Sequence, residues 1–365
     1  MSFVYNEDYI FEKIFSVDSY AVRDSLKKEK HNFADFLTFI SPAAENFLEE
    51  MAYKGMCIKK KRFGKTIKLY APLYISNKCF SSCLYCGFNS STSINRKTLS
   101  FSEIRDEAEK IKESGFDNLL IVSGFAPDEV TIDFLLKTVE ILKVFFSYLA
   151  VEIFPLDENQ YQYLVDAGVD GLVLYQETYN RQNYEKMHPS GKKRDYDFRL
   201  NSLSRGGKAG FKDLGLGVLL GLYDWRIDSA LMYQHAYKLK NEFWKSRINF
   251  SFPRLRPAGK TGFMPPFEVT DKNLTQMMLA FRICFPDSGL SLSTRESASL
   301  RNNLIPLGIT QVSAGSKTMP GGYAAQNDSG AQFDIADERT PQEIVRIIRS
   351  KGMESVFKDW DSSLK

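Results

Sequence analysis

Histidine is nearly missing from this chain, with His31, His188 and His235 the three instances in 365 residues. No two of them are adjacent, so a site built mainly on imidazole has little sequence basis. Cysteine is sparse as well, represented by Cys57, Cys79, Cys83, Cys86 and Cys284. An odd count with three of the five in one group argues against a disulfide framework. It fits a reducing cytosol, where grouped thiols serve a metal, and a cytoplasmic location is expected. Charge of one sign is not in excess: 48 basic against 45 acidic residues leave +3, too near neutral for nucleic acid as the main partner. The short basic run at Lys59 to Arg62 reads as a solvated helix end. No stretch approaches the ~18 consecutive apolar residues of a membrane span. The opening "MSFVYNEDYIFEKIF" lacks a basic n-region and an apolar h-region, so no secretory signal is expected.

What the chain does have is a change of rhythm near residue 66. Before it, apolar positions recur at helical spacing, and "SPAAENFLEEMA" reads as a helix start with Ser41 as cap and Pro42 in the first turn. After it, short apolar runs alternate with amphipathic helices. The runs begin at Leu69, Asn118, Tyr148, Gly171, Leu214, Ile248, Leu290 and Thr310. They are apolar throughout rather than alternating, as parallel strands covered on both faces require. Between them, Ser100 and Glu103 form a capping box with Gly115 at the helix end, and Thr340 with Pro341 starts a last helix. The pattern predicts an α/β chain: an N-terminal helical extension over 1–66, a (βα)8 TIM-type barrel over 67–318, and a C-terminal segment over 319–365 packing on the barrel. Chemistry in such barrels sits at the C-terminal ends of the strands. Ser123, Glu152, Glu177, Arg254, Arg295 and Ser313 become candidates by that position.

The group "SNKCFSSCLYCGFNSS" follows the first strand directly and spaces its thiols as C-x3-C-x2-C. Three readings compete. A closed zinc site wants a fourth ligand, and none stands nearby. Three buried structural thiols so close together would be an unusual coincidence. A [4Fe–4S] cluster held by Cys79, Cys83 and Cys86 leaves one iron open, and an open position is what a catalytic metal keeps for a ligand.

A C-x3-C-x2-C loop on a barrel strand end, with Tyr85 before the last cysteine, resembles the radical S-adenosylmethionine superfamily. The resemblance extends over nearly the whole chain. "ISPAAENFLEEMA", "RFGKTIKLYAPLYISNKC", "CLYCGF", "INRKTL", "VLYQETY", "SFPRLRP", "LSLSTRE", "VSAGSKTMPGGYA" and "KDWDSSL" are together similar to the 2-iminoacetate synthase family. That resemblance implies an enzyme that cleaves the Cα–Cβ bond of L-tyrosine to p-cresol and 2-iminoacetate, for thiazole formation in thiamine biosynthesis. It implies a [4Fe–4S] cluster and S-adenosyl-L-methionine as cofactors, a reductant such as flavodoxin or ferredoxin, and a thiazole synthase as protein partner. Related readings are a tryptophan lyase, the tyrosine lyase of hydrogenase maturation, or a non-catalytic iron–sulfur scaffold. The maturation enzyme carries further cysteines beyond the barrel, and no cysteine follows Cys284 here, so the thiamine branch is expected.

The site residues follow in the same way. A free amino acid brings a carboxylate, for which a bidentate arginine is the natural partner. The resemblance gives that part to Arg295, with Ser293 and Ser313 orienting the head group and Tyr74 lining the pocket; Arg254 and Arg256 are weaker candidates. Around S-adenosylmethionine it implies Tyr85, Ser123, Gly124, Glu152, Glu177 and Arg199. One position departs. The family carries a glutamate after the glycine of "VSG", a contact of the cofactor's amine, and this chain has Phe125 there, which admits a paralogue with another substrate. Gly215, Gly217 and Gly221 are expected along a buried strand, making room for adenine, and not in a dinucleotide turn.

Overall fold

Strands β1 (Thr66–Ser76), β2 (Asn118–Ser123), β3 (Tyr148–Glu152), β4 (Gly171–Val173), β5 (Asp213–Gly217), β6 (Arg247–Ser251), β7 (Gly289–Leu292) and β8 (Gln311–Ser313) run parallel, each on a predicted apolar run. They pair in order, and β1 pairs with both β8 and β2, so the sheet closes on itself. This is a computed structural model, and it describes residues 6–258, 261–325 and 329–358. The "DWDSSL" part of the C-terminal motif lies outside them. Leu73 sits opposite Ile121 and Leu69 opposite Val312, so apolar residues meet in register around the first strand. Among the described residues no helix is long and apolar enough to cross a membrane.

The caps are where local chemistry puts them. Ser100 and Glu103 exchange side-chain and backbone bonds at the helix Phe101–Glu113, and Thr340 does the same with Glu343. The start at Ser41 takes a tighter form than expected. Its hydroxyl accepts from the Ala44 amide, but Pro42–Phe47 winds as a 3-10 turn, and the α-helix begins only at Leu48 because Phe47 leaves helical geometry at φ −120°. The N-terminal helices pack on the outer helices Trp225–Glu242 and Asp271–Cys284. Phe36 lies 4.8 Å from both the Tyr233 and Phe281 rings, and Gln276 donates to the Phe39 and Ser41 carbonyls at 2.9 and 2.8 Å. Within the basic run, Lys59 is buried against Met353 while Lys60, Lys61 and Arg62 are exposed, so the solvated reading holds for three of the four.

Two expectations need correction. Gly215 and Gly217 lie on β5, but Gly221 lies beyond it. A Cβ at Gly217 would stand 2.5 Å from the Tyr175 ring, and one at Gly215 would stand 2.9 Å from Val173. These glycines make room for side chains of β4 and of the segment just after it, not for a ligand. The C-terminal segment also adds a ninth strand, β9 (Glu354–Val356), parallel to the start of β1.

The C-terminal segment is fastened by a buried charge pair. Arg301 and Asp337 are both almost wholly buried and bonded to each other. Arg301 also donates to the Ser313 carbonyl at the end of β8, and Asp337 accepts from Arg339 at 2.7 and 2.8 Å. Removing one partner strands the other charge, which typically costs about 3–5 kcal/mol. Asp337→Ala should therefore lower stability by about that much in urea unfolding; a loss below about 1 kcal/mol would show that the pair does not fasten the segment.

Candidate functional site

The residues between Ser76 and Leu99 form no long element, and side chains hold them instead. The Arg96 guanidinium donates to four carbonyls, those of Asn77, Phe88, Asn89 and Thr92, at 2.5–3.0 Å. Asn77 ties the same loop from its other side, donating to the Asn95 carbonyl at 2.9 Å and accepting from the Lys97 amide at 2.6 Å. Asn89 donates to the Cys83 carbonyl at 3.0 Å. Two glycines let other backbone come close. A Cβ at Gly124 would meet the Lys78 carbonyl at 2.3 Å, and one at Gly87 would meet the Ala331 carbonyl at 2.2 Å.

Cys79, Cys83 and Cys86 line one cavity of about 120 Å³ at the C-terminal mouth, with Ser123, Gly124, Phe125, Glu152, Tyr175, Glu177, Lys193, Arg199 and Gln332 around it. Burial pushes the Cys83 thiol up to about 12 and the Cys86 thiol to about 11, against the pull of Lys193. Thiols so placed become ligands only when a cationic centre compensates the thiolate charge. Among the described residues no three His, Cys, Asp or Glu side chains converge on a single metal ion. The three thiols instead surround a space. Ser81, within the same loop, lines that space with a buried hydroxyl that has no partner. Three thiols, no fourth, and an orphaned donor between them fit a cluster bound through three corners.

The acids around the cavity differ in state. Burial alone would raise the Glu177 carboxyl, but Lys193 at 2.5 Å and Arg199 at 3.0 Å hold it at about 2. Glu177 is also the sole non-glycine residue with positive φ, +73°, among the described residues. The turn is pinned by buried Asp228, which accepts from the Tyr179 amide at 2.7 Å and the Thr178 hydroxyl at 3.1 Å. Glu152 has no such pair among the described residues. Burial pushes it up to about 7, with Arg295 pulling the other way.

A second cavity adjoins the first. Its lining includes Tyr74, Ser293, Arg295, Ser313, Ser316 and Phe333, and the two cavities share Val122, Glu152 and Tyr175 as a common wall. The Arg295 guanidinium lies 3.3 Å from the centre of the Phe333 ring, and no carboxylate pairs with it among the described residues. Its sequence neighbour Glu296 pairs with Arg254 and with Arg256, the latter at 3.1 Å, and neither arginine lines this cavity. Ser313 accepts from the Thr294 amide at 3.2 Å, and Ser293 from the Arg295 amide at 3.4 Å.

The structure therefore brings the three cysteines, Ser123, Gly124, Glu152, Glu177 and Arg199 to one chamber, and Tyr74, Ser293, Arg295 and Ser313 to its neighbour. Tyr85 lies behind the cavity lining: it packs in a cluster with Cys83, Met187 and Leu222, the Lys193 ammonium lies 5.5 Å from its ring centre, and its hydroxyl bonds His188 at 2.7 Å. Phe125 occupies its place as an apolar wall, edge-on to Phe154 at 5.1 Å. Sequence reasoning missed Lys193, Gln332 and Phe333. Gln332 accepts from the Tyr74 hydroxyl at 2.7 Å, and its carbonyl accepts from the Gly87 amide at 2.9 Å. Gln332 and Phe333 lie on an irregular segment and Lys193 in the single 3-10 turn Lys192–Arg194, where no periodicity marks a side chain as inward; Arg96 had a signal, its place in the quoted "INRKTL".

Comparison with known proteins bears on both chambers. Residues 73–231 match the Radical SAM superfamily, and residues 251–354 match the Biotin and Thiamin Synthesis associated domain. The chain is 43% identical over 332 residues to the 2-iminoacetate synthase of Escherichia coli (strain K12), covering 90% of this chain and 88% of that one. It superposes on HydG, a maturase of the [FeFe]-hydrogenase, with TM-score 0.92 and 33% identity, over 97% of this chain and 80% of that one. The HydG of Carboxydothermus hydrogenoformans gives TM-score 0.90 at 31% identity, over 96% and 83%.

Proposed function

The chain belongs to the 2-iminoacetate synthase family of radical SAM enzymes, and from that premise we propose that it splits the Cα–Cβ bond of L-tyrosine, releasing p-cresol and 2-iminoacetate for thiazole formation in thiamine synthesis. One observation carries this reading: a thiol-lined chamber and an arginine-lined chamber share a wall of three side chains. A radical generated on one side and an amino acid held on the other would then react at near-contact distance.

Cys79, Cys83 and Cys86 would hold a [4Fe–4S] cluster. When bound there, a cluster together with S-adenosylmethionine would supply the radical chemistry that abstracts a hydrogen atom from the substrate. The protein's own work is placement. Ser123 and Gly124 would border the methionine end of the cofactor. Glu177 fixes Lys193 and Arg199, leaving these cations to face carboxylate or ribose oxygens. Glu152, on the common wall and with its carboxyl near neutrality, can hold or release a proton between the chambers. Arg295 receives the tyrosine carboxylate as a fork, with Ser293 and Ser313 at its edge and Tyr74 closing the side. The apolar face of Phe125 leaves the cofactor's amine to other acceptors, Glu152 among them. The setting is the cytosol, with flavodoxin or ferredoxin as electron donor and a thiazole synthase as the enzyme that consumes the product.

The test is anaerobic reconstitution followed by S-adenosylmethionine, dithionite and L-tyrosine. The expected products are p-cresol and 5′-deoxyadenosine in equal amounts. Deoxyadenosine formed with an indole or another aromatic product from a different amino acid would move the substrate elsewhere. A reconstituted cluster that never cleaves the sulfonium would leave a scaffold.

A further inference from the structure

The other hydroxyls named here on the wall of the arginine chamber each have a hydrogen-bond partner. Tyr70 bonds Ser291 at 3.2 Å, Tyr74 donates to Gln332 at 2.7 Å, and Thr318 donates to the Phe333 carbonyl at 3.1 Å. Ser293 and Ser313, the serines singled out by sequence, accept from the backbone amides of Arg295 and Thr294. Ser316 differs. It is 3% exposed, it lines the same chamber, and its hydroxyl is buried with no hydrogen-bond partner among the described residues. The chain reaches it through Gly315 at φ +59°, where a Cβ would press on Pro341 at 3.1 Å, so the turn that delivers Ser316 is narrowly defined.

A buried hydroxyl without a partner is a standing cost to the folded chain, and such groups ask for an explanation. Here the neighbouring Arg295 also lacks a paired carboxylate among the described residues. A carboxylate has about four lone-pair sites, of which a guanidinium fork uses two. We infer that Ser316 donates its hydroxyl proton to the substrate carboxylate beside Arg295, a third contact for the amino-acid head group. This rests on reading the arginine chamber as the substrate site.

Ser316→Ala separates a ligand contact from a structural one. In the reconstituted enzyme with S-adenosylmethionine and no reductant, the Kd for L-tyrosine should rise about 10-fold, as loss of a hydrogen bond to a charged group implies. Without tyrosine, the melting temperature should stay or rise slightly, because the hydroxyl has nothing to lose. The same rise in Kd is expected for 3-(4-hydroxyphenyl)propionate, which keeps the carboxylate and lacks the amine. Unchanged affinity for tyrosine would overturn the inference, whether or not the melting temperature moves. A loss for tyrosine but none for the propionate would also overturn it, by moving the contact to the amine. If the wild type binds another amino acid and not tyrosine, the substrate reading fails, and the comparison with that amino acid decides Ser316. If it binds none, both fall.

Discussion

Cys83→Ala protein, reconstituted anaerobically, should cleave S-adenosylmethionine at no more than background rate, with its iron content reduced. Cys83 is buried in the middle of a three-thiol set, and the chain offers no substitute. Cys57 is exposed on the helix Leu48–Phe63, Cys284 ends the helix Asp271–Cys284, and neither lines the cavity. Losing even an outer partner of a metal ligand typically costs 10–100-fold, so losing the ligand should exceed about 100-fold. The fold should survive, because a small buried thiol replaced by alanine removes little volume and no hydrogen bond that holds the loop. Arg96 and Asn89 do that through backbone carbonyls, which alanine keeps. Wild-type cleavage by the alanine variant would end the assignment of the cluster to these cysteines.

The cluster loop shows what could be read before any coordinates and what could not. Its thiol spacing is local, so it is visible in the string. The strands are visible too, since a parallel strand covered on both faces must be apolar along its length, and eight such runs led to eight strands. β9 was invisible because Glu354–Val356 is too short and too polar to show a period; it exists by pairing with Thr66–Lys68. Arg295 was legible as a charge at a strand end. Its partner Phe333 was not, because the contact joins two loops far apart in sequence. The misreading of the β5 glycines has the same origin. A gap in one strand looks like space for a ligand until the facing strand and the segment just after it supply Val173 and Tyr175.

Arg295→Lys should leave iron content and tyrosine-independent cleavage of S-adenosylmethionine unchanged while lowering kcat/KM for tyrosine about 30- to 150-fold. The charge is kept, so the loss isolates geometry. Truncating one partner of a buried, hydrogen-bonded charge pair costs about 2–5 kcal/mol, and a retained ammonium returns part of it. A remaining 2–3 kcal/mol corresponds to the stated range at about 1.4 kcal/mol per tenfold. Lysine also loses the flat face that lies on Phe333, so its ammonium is no longer held against that ring. Deoxyadenosine should then outrun p-cresol, because the tyrosine amine is no longer fixed near the wall of Val122, Glu152 and Tyr175. That ratio distinguishes misplacement from simple weak binding, which saturating tyrosine would restore. Unaltered turnover with lysine would mean that the carboxylate rests elsewhere, and because Arg254 and Arg256 lie outside the lining of this chamber, no alternative fork among the residues singled out stands ready in it.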